Sequence, residues 1–295
     1  MLTTAACGKT QDSTENGAVF ESVTEKPADN QASDQGNLYE AFKAGTAKAK
    51  YRGTGDRASY VEISKALQKG QSYTMEEIAA AIESIDEYND FDYNSDVEYS
   101  YIDCGQDGAQ ELLAVAQLSA EFRFFMIVKE IDGELVICYD QDAWSRCDVV
   151  VNSDGTIESS GSGGAAVHIV DYAYVDAAGD YKFYYGLEET LTLFGDYYAY
   201  TTGENYAEIP TEGLDQEHLG VRDYYFEADY TDRTHYHSYF ILDDNYNDVT
   251  TDADYDDSNE LKARFTEAGI KTYTAAEMEQ MLKDRASQIG YPVTR

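Results

Sequence analysis

From residue 97 onward the apolar side chains fall into a period of two, and Asp-Gly pairs interrupt them. The runs "VEYSYIDCG", "ELLAVAQL", "FRFFMIVKEI", "ELVICYD", "CDVVVNS", "TIESSG", "AAVHIVDYAYV" and "YKFYYGLEE" follow one another in this way. Turns are signalled at Asp107-Gly108, Asp132-Gly133, Asp154-Gly155 and Ala178-Gly179-Asp180. Alternation places successive side chains on opposite faces of a strand, and Asp-Gly supplies the left-handed backbone of a tight hairpin. The pattern therefore predicts an antiparallel meander. Two further runs, "DYYFEADY" and "HYHSYFILDD", extend it. The hairpin units are too few for a propeller, so the expectation is a sheet or sandwich.

Helical signals flank this region. "LYEAFKAGTAKAKYR" and "RASYVEISKALQKG" read as helices. In "SYTMEEIAAAIESIDEY", Thr74 and Glu77 form a capping box ahead of Ile78, Ala81, Ile82 and Ile85. "SNELKARFTEAG" and "AAEMEQMLKDRASQIG" close the chain, the second with Thr274 and Glu277 at its cap. The predicted class is α+β, an antiparallel β-meander or sandwich with flanking N- and C-terminal helices. One domain is expected over 37–295, with a helical layer at 37–96, the meander at 97–245 and the C-terminal helices at 258–290.

Fifty-seven acidic residues face 21 basic ones in 295, a formal charge of −36. A field of that sign repels phosphates, which excludes nucleic acid and anionic lipid as expected partners. The N-terminus reads as a targeting segment. Thr4-Ala5-Ala6-Cys7 resembles a bacterial lipobox, with Thr4 where a leucine is usual. Residues 1–6 are then a residual signal peptide, and Cys7 is the lipidation site and the sole contact with the membrane. Residues 7–36 form a disordered acidic tether. The competing reading is a disordered N-terminus with a chance cysteine. The first reading places the protein on the extracellular face of the cell membrane.

The segment "YIDCGQDGAQELL" spaces Asp103, Asp107, Gly108 and Glu111 as a short calcium loop does, with Gly105 in the place of one ligand. Calcium takes six to eight oxygens, so Asp103, Asp107 and Glu111 are the candidate ligands of a weak Ca²⁺ site. A turn between two strands, with Glu111 bonded to loop amides, is the alternative. "SYIDCGQDGAQELLAV" resembles a motif of uncharacterised exported lipoproteins of Gram-positive anaerobes, D-x-D-G-D-G-x-x-E-L. That motif is similar in turn to the calcium loops of dockerins and FG-GAP repeats. "SRCDVVVNSDGTIESSGSGGAAVHIVDYAYVD" looks like the meander that follows in those lipoproteins. The resemblance implies location and architecture; it carries no activity.

Cys104, Cys138 and Cys147 remain beside Cys7. If Gln141–Trp144 were a four-residue hairpin loop, Cys138 would face Cys147, as a cross-strand disulfide requires. Two buried thiols are the alternative. His235 and His237 share a strand face, as two zinc ligands do, with Asp229 or Asp232 as a third. The acidic segment from Asp243 to Glu260 alternates Asp252, Asp254 and Asp256, but Asp257 stands where an EF-hand needs glycine. His168 fits a strand interior. "GSGGAA" lacks the phosphate-loop lysine. Twenty-seven tyrosines, clustered at Tyr184-Tyr185, Tyr197-Tyr198-Tyr200 and Tyr224-Tyr225, suit either half-buried strand positions or a glycan- or peptide-binding face. The expected function is a non-catalytic binding or envelope-associated module for a glycan, peptide or protein partner. A carboxylate-based carbohydrate hydrolase and a calcium-stabilised structural module are the alternatives.

Overall fold

A computed structural model describes residues 35–53, 66–85 and 97–292. These belong to one compact unit spanning 34–295. Cys7, nearly all of the expected tether and most of "RASYVEISKALQKG" lie outside the described residues.

The longest apolar strands form the centre of a first sheet. β4 (Glu111–Gln117), β5 (Arg123–Ile131) and β6 (Glu134–Ala143) pair antiparallel, and β3 (Val97–Ile102) adds the edge beyond β4. Alternate residues of these strands enter two separate cores. Leu112, Ala114, Phe124, Met126 and Ile137 pack with Phe42, Ile78 and Ile82 of the N-terminal helices. Leu113, Phe125, Ile127 and Val136 face the other way, against Val149, Ile157, Ala173 and Val175 of a second sheet. Both faces are covered, so these strands read as continuous apolar runs.

α1 (Gln35–Lys43) and α2 (Met75–Ile85) form the helical cover. The Thr74 and Glu77 side chains cap α2 reciprocally, at 3.2 and 2.9 Å. The helix expected over 38–52 stops at Lys43, and Gly45 turns the chain at φ +71°. Ala49–Tyr51 is instead β1, parallel to β6 with Ala49 opposite Leu135. Ala49 and Tyr51 are buried while Lys50 is exposed, a period of two that the lysine-rich stretch hides. β2 (Ser72–Tyr73) pairs with β1 and completes the six-stranded order β2-β1-β6-β5-β4-β3.

The second sheet runs β14-β13-β10-β9-β8-β7. It comprises β7 (Cys147–Val151), β8 (Thr156–Ser162), β9 (Val167–Val175), β10 (Tyr181–Thr190), β13 (Leu219–Tyr225) and β14 (His235–Ile241). A separate hairpin, β11 (Tyr197–Thr202) with β12 (Asn205–Ile209), has no counterpart in the sequence reading. Its inner face joins α3 (Glu260–Glu267) over Val221 and Tyr239. α4 (Ala275–Ile289) carries the predicted capping box and ends at left-handed Gly290. The α+β class with an antiparallel meander and flanking helices thus holds, folded as two face-packed sheets. The four turn glycines Gly108, Gly133, Gly155 and Gly179 all have φ between +77° and +86°.

The expected Cys138–Cys147 hairpin does not form. β6 pairs with β5 and β1, whereas β7 pairs with β8 and sets Cys147 opposite Gly161. The chain leaves the first sheet at Trp144, turns through Ser145 and Arg146, and enters the second at Cys147. Cys104, Cys138 and Cys147 are free thiols. Burial raises all three, Cys138 to about 11, which keeps them protonated and inert.

Candidate functional site: an open groove at the sheet crossover

The Trp144–Cys147 turn is closed by two backbone bonds of 2.9 and 2.8 Å. It leaves the indole of Trp144 half-buried and Arg146 exposed at the start of the second sheet. The outer faces of β8 and β9 continue from there. Register sets Ser160 opposite Val170, Glu158 opposite Tyr172, and Ser162 opposite His168. Together these residues line an open groove of about 720 Å³. One wall carries an Arg123–Asp148 ion pair at 2.6 Å. His168, expected in a strand interior, is exposed there. Among the described residues the exposed Arg146 guanidinium makes no ion pair, so the groove combines the Trp144 indole, the Tyr172 phenol, the hydroxyls of Ser145, Ser160 and Ser162, the carboxylates of Glu121 and Glu158, the His168 imidazole and an unpaired cation.

Tyr172 belongs to a larger aromatic surface. A bulge between Phe183 and Tyr185 puts Tyr184 and Tyr185 on the same face, with ring centroids 4.7 Å apart. Tyr185 lies 4.8 Å from Tyr172, and Tyr184 stacks on Tyr291 at 4.2 Å. α4 covers this end: the Tyr184 hydroxyl donates to the Leu282 carbonyl at 3.1 Å, and Tyr174 donates to Ile289. Tyr184 and Tyr185 therefore fill sheet positions, Tyr174 and Tyr184 grip α4, and only the β8–β9 end opens into the groove.

The calcium-loop residues are spent on the protein itself. The Asp103 carboxylate accepts from the Gly108 amide at 3.1 Å, and Asp107 accepts from Ala109 at 2.8 Å. Glu111, fully buried on β4, accepts from the Cys104 amide at 2.7 Å and from the Lys129 ammonium. Burial opposes the charge on Lys129, but the bond to Glu111 and its negative field outweigh that and raise the lysine. Lys129 thus occupies the carboxylate that a cation would need. The turn is held by its own amides, and Gly105 sits so close to Ala177 that any side chain there would collide with backbone. Among the described residues no group of three or more His, Cys, Asp or Glu side chains is arranged to hold a metal ion.

The histidine pair converges on a carboxylate rather than a metal. β13–β14 register places Asp223 opposite His237 and Tyr225 opposite His235. His235 Nδ1 donates to Asp223 at 2.7 Å, and His237 Nε2 donates to the Tyr200 carbonyl at 2.7 Å, fastening β11 to β14. Asp223 Oδ1, His235 Nε2 and His237 Nδ1 are buried without a hydrogen-bond partner. Glu188 stands opposite Asp223 on β10, and burial together with the Asp223 charge raises its carboxyl. Asp229, one of the two candidates for a third ligand, caps Thr231 in an exposed turn. The Asp232 side chain lies outside the described residues.

Tyr225 closes the cluster from above. Its ring lies across Gly186, where a Cβ would overlap both the ring and Asp171. Its hydroxyl donates to Asp171 at 2.7 Å, and the Arg233 guanidinium covers its face at 3.9 Å. This shielding makes the cluster a support for the hairpin rather than an accessible reaction centre. The segment from Asp243 to Glu260 is likewise self-satisfied. Asp243 caps Asn245 and Asn247, Asp248 caps Thr250, and Asp254 forms a capping box with Thr251. Buried Tyr255 anchors it, its hydroxyl donating to Tyr239 O at 2.6 Å.

The β8–β9 hairpin that carries Ser160 and His168 is local in the chain, but only the crossover brings Trp144 and Arg123 of the first sheet beside it. Comparison with protein-family models, curated proteins and solved structures finds no match.

Proposed function

We propose that the protein is a binding module held at the extracellular face of the membrane by a lipid on Cys7, and that the crossover groove takes a glycan. The observation that carries this reading is the groove's composition. The half-buried Trp144 indole and the Tyr172 phenol line the groove with apolar ring surface for a sugar, while Ser145, Ser160, Glu158 and Arg146 line it with hydrogen-bonding groups. Openness suits a chain that passes through rather than a small molecule that is enclosed. The net charge of −36 argues against nucleic acid in the same groove.

Trp144 is the one tryptophan in the chain, so its fluorescence reports on the groove directly. Titration with a panel of oligosaccharides is expected to shift its emission saturably for one glycan class, and Arg146→Ala/His168→Ala is expected to weaken that response about tenfold. An unchanged spectrum across the panel would remove the glycan reading. Release of reducing ends during the titration would replace it with the hydrolase. The anchor is tested apart, by comparing membrane-bound and released protein for wild type and Cys7→Ala.

A further inference from the structure

The β11–β12 hairpin presents a second surface of different chemistry. On its inner face Ala199 and Ile209 are fully buried, with Tyr197 and Ala207 half-buried beside them. Its outer face carries Tyr198, Tyr200 and Tyr206 together with Glu208, since Tyr198 pairs with Glu208 and Tyr200 with Tyr206. Tyr198 is 50% exposed and Tyr206 58%. The rings meet edge to face, with centroids 5.3 Å apart for Tyr198–Tyr206 and 6.0 Å for Tyr200–Tyr206.

Elsewhere the protein spends its scarce cations on aromatic faces. Arg233 lies 3.9 Å from the Tyr225 centroid, Lys271 4.0 Å from Tyr273, and Arg222 4.2 Å from Phe240. Among the described residues no lysine or arginine lies over Tyr198, Tyr200 or Tyr206, and Glu204 and Glu208 are exposed without an ion pair. An aromatic row flanked by carboxylates on a chain of charge −36 is complementary to an external cation.

We propose that the outer face of this hairpin binds a lysine- or arginine-bearing segment of a partner protein. The three rings share one face of a two-stranded hairpin and meet edge to face rather than forming one enclosing cage. Their centroid separations of 5.3 and 6.0 Å are somewhat shorter than the distance between alternate side chains on an extended strand, about 6.6–6.8 Å, a gap that flexible lysine and arginine side chains span. Successive cationic side chains of an extended segment can therefore reach neighbouring rings, with Glu208 and Glu204 beside them. This surface is separate in residues from the glycan groove and does not depend on it.

The test uses the whole chain and a fluorescent peptide of alternating lysine and glycine, followed by anisotropy at physiological ionic strength. Tyr198→Ser/Tyr206→Ser leaves the net charge unchanged, and loss of two exposed cation–π contacts is expected to weaken binding about five- to thirtyfold. Tyr198→Phe/Tyr206→Phe keeps the ring faces and is expected to retain most of the affinity. Tyr246→Ser, at an exposed tyrosine away from the hairpin, is expected to leave it unchanged. Glu208→Gln supplies an independent variant and is expected to weaken binding about two- to fivefold, the loss of one exposed ion pair. Equal affinity for wild type and the double serine variant would overturn the proposal, because net charge alone would then hold the peptide. So would full displacement of the peptide by an equimolar amount of tetramethylammonium, which would make the site one for small ammonium ions.

Discussion

The two sheets solve the same problem with different materials. The first is covered on both faces, by helices on one side and the second sheet on the other, and β4 to β6 bury aliphatic side chains on each. Its buried Glu111–Lys129 pair is closed by a backbone amide, and β6 also buries Asp140 and Asp142, while Glu130 Oε2 on β5 lies buried without a hydrogen-bond partner. The second sheet is covered in patches: by the first sheet over β7–β9, by α3 and the hairpin over β13–β14, and by α4 on its outer face. Between the two apolar patches run Asp171, Glu188, Asp223, His235 and His237, with three buried polar atoms left unpartnered. A sheet wrapped on both sides becomes a scaffold. A sheet covered piecemeal keeps polar seams and open surface: the hairpin is fastened to the second sheet, and the groove runs from Arg123 and Trp144 at the edge of the first sheet onto β8 and β9 of the second.

That contrast can be broken at its tightest point first. Lys129→Ala leaves Glu111 buried without its cation and is expected to cost about 3–5 kcal/mol in urea denaturation. Lys129→Met combined with Glu111→Gln is expected to recover most of that loss. If the single variant costs under about 1 kcal/mol, the first sheet is not closed around this pair. In the second sheet, Gly186→Ala pushes a methyl into the Tyr225 ring and is expected to cost about 1–3 kcal/mol by the same measurement.

The seam itself makes a pH prediction. The folded carboxyl of Glu188 is raised, so the folded state holds this proton more tightly than the unfolded chain does. The contribution is therefore most favourable below the unfolded value of about 4.3 and is lost as pH rises through the raised folded value. Glu188→Gln is expected to raise Tm at neutral pH, and the advantage is expected to vanish as the pH falls below about 4.3. A constant offset at all pH values would mean that the charge is not the cause. The smallest effect belongs to the groove: Arg146→Ala and His168→Ala are expected to change stability by no more than about 0.5 kcal/mol each while ligand binding falls.

How much of this was legible depends on how local each signal is. The capping boxes at Thr74–Glu77 and Thr274–Glu277 involve residues three apart, and both form as read. The Asp-Gly turns are equally local. β1 was hidden, because three residues inside a lysine-rich run show no alternation until β6 offers them a parallel edge. In the sequence the hairpin β11–β12 shows only as a tyrosine cluster, because its turn Thr202-Gly203-Glu204-Asn205 lacks the Asp-Gly signature. Facing Cys138 with Cys147 requires consecutive strands to pair, but Trp144 ends one sheet and Cys147 begins the next.

The calcium-loop segment shows the division most clearly. By itself the sequence determined that "YIDCGQDGAQELL" would turn sharply between two strands, since Asp107-Gly108 and the carboxylates of Asp103 and Glu111 act within a few residues of one another. Only the tertiary structure decided what Glu111 would bind. Lys129 lies on the neighbouring strand, and strand register brings its ammonium to the carboxylate. The same holds for Asp223 between its histidines and for the groove at the crossover. Turn chemistry is written in adjacent residues; the partner of a buried charge is set by which strands lie side by side, and that is a property of the whole sheet.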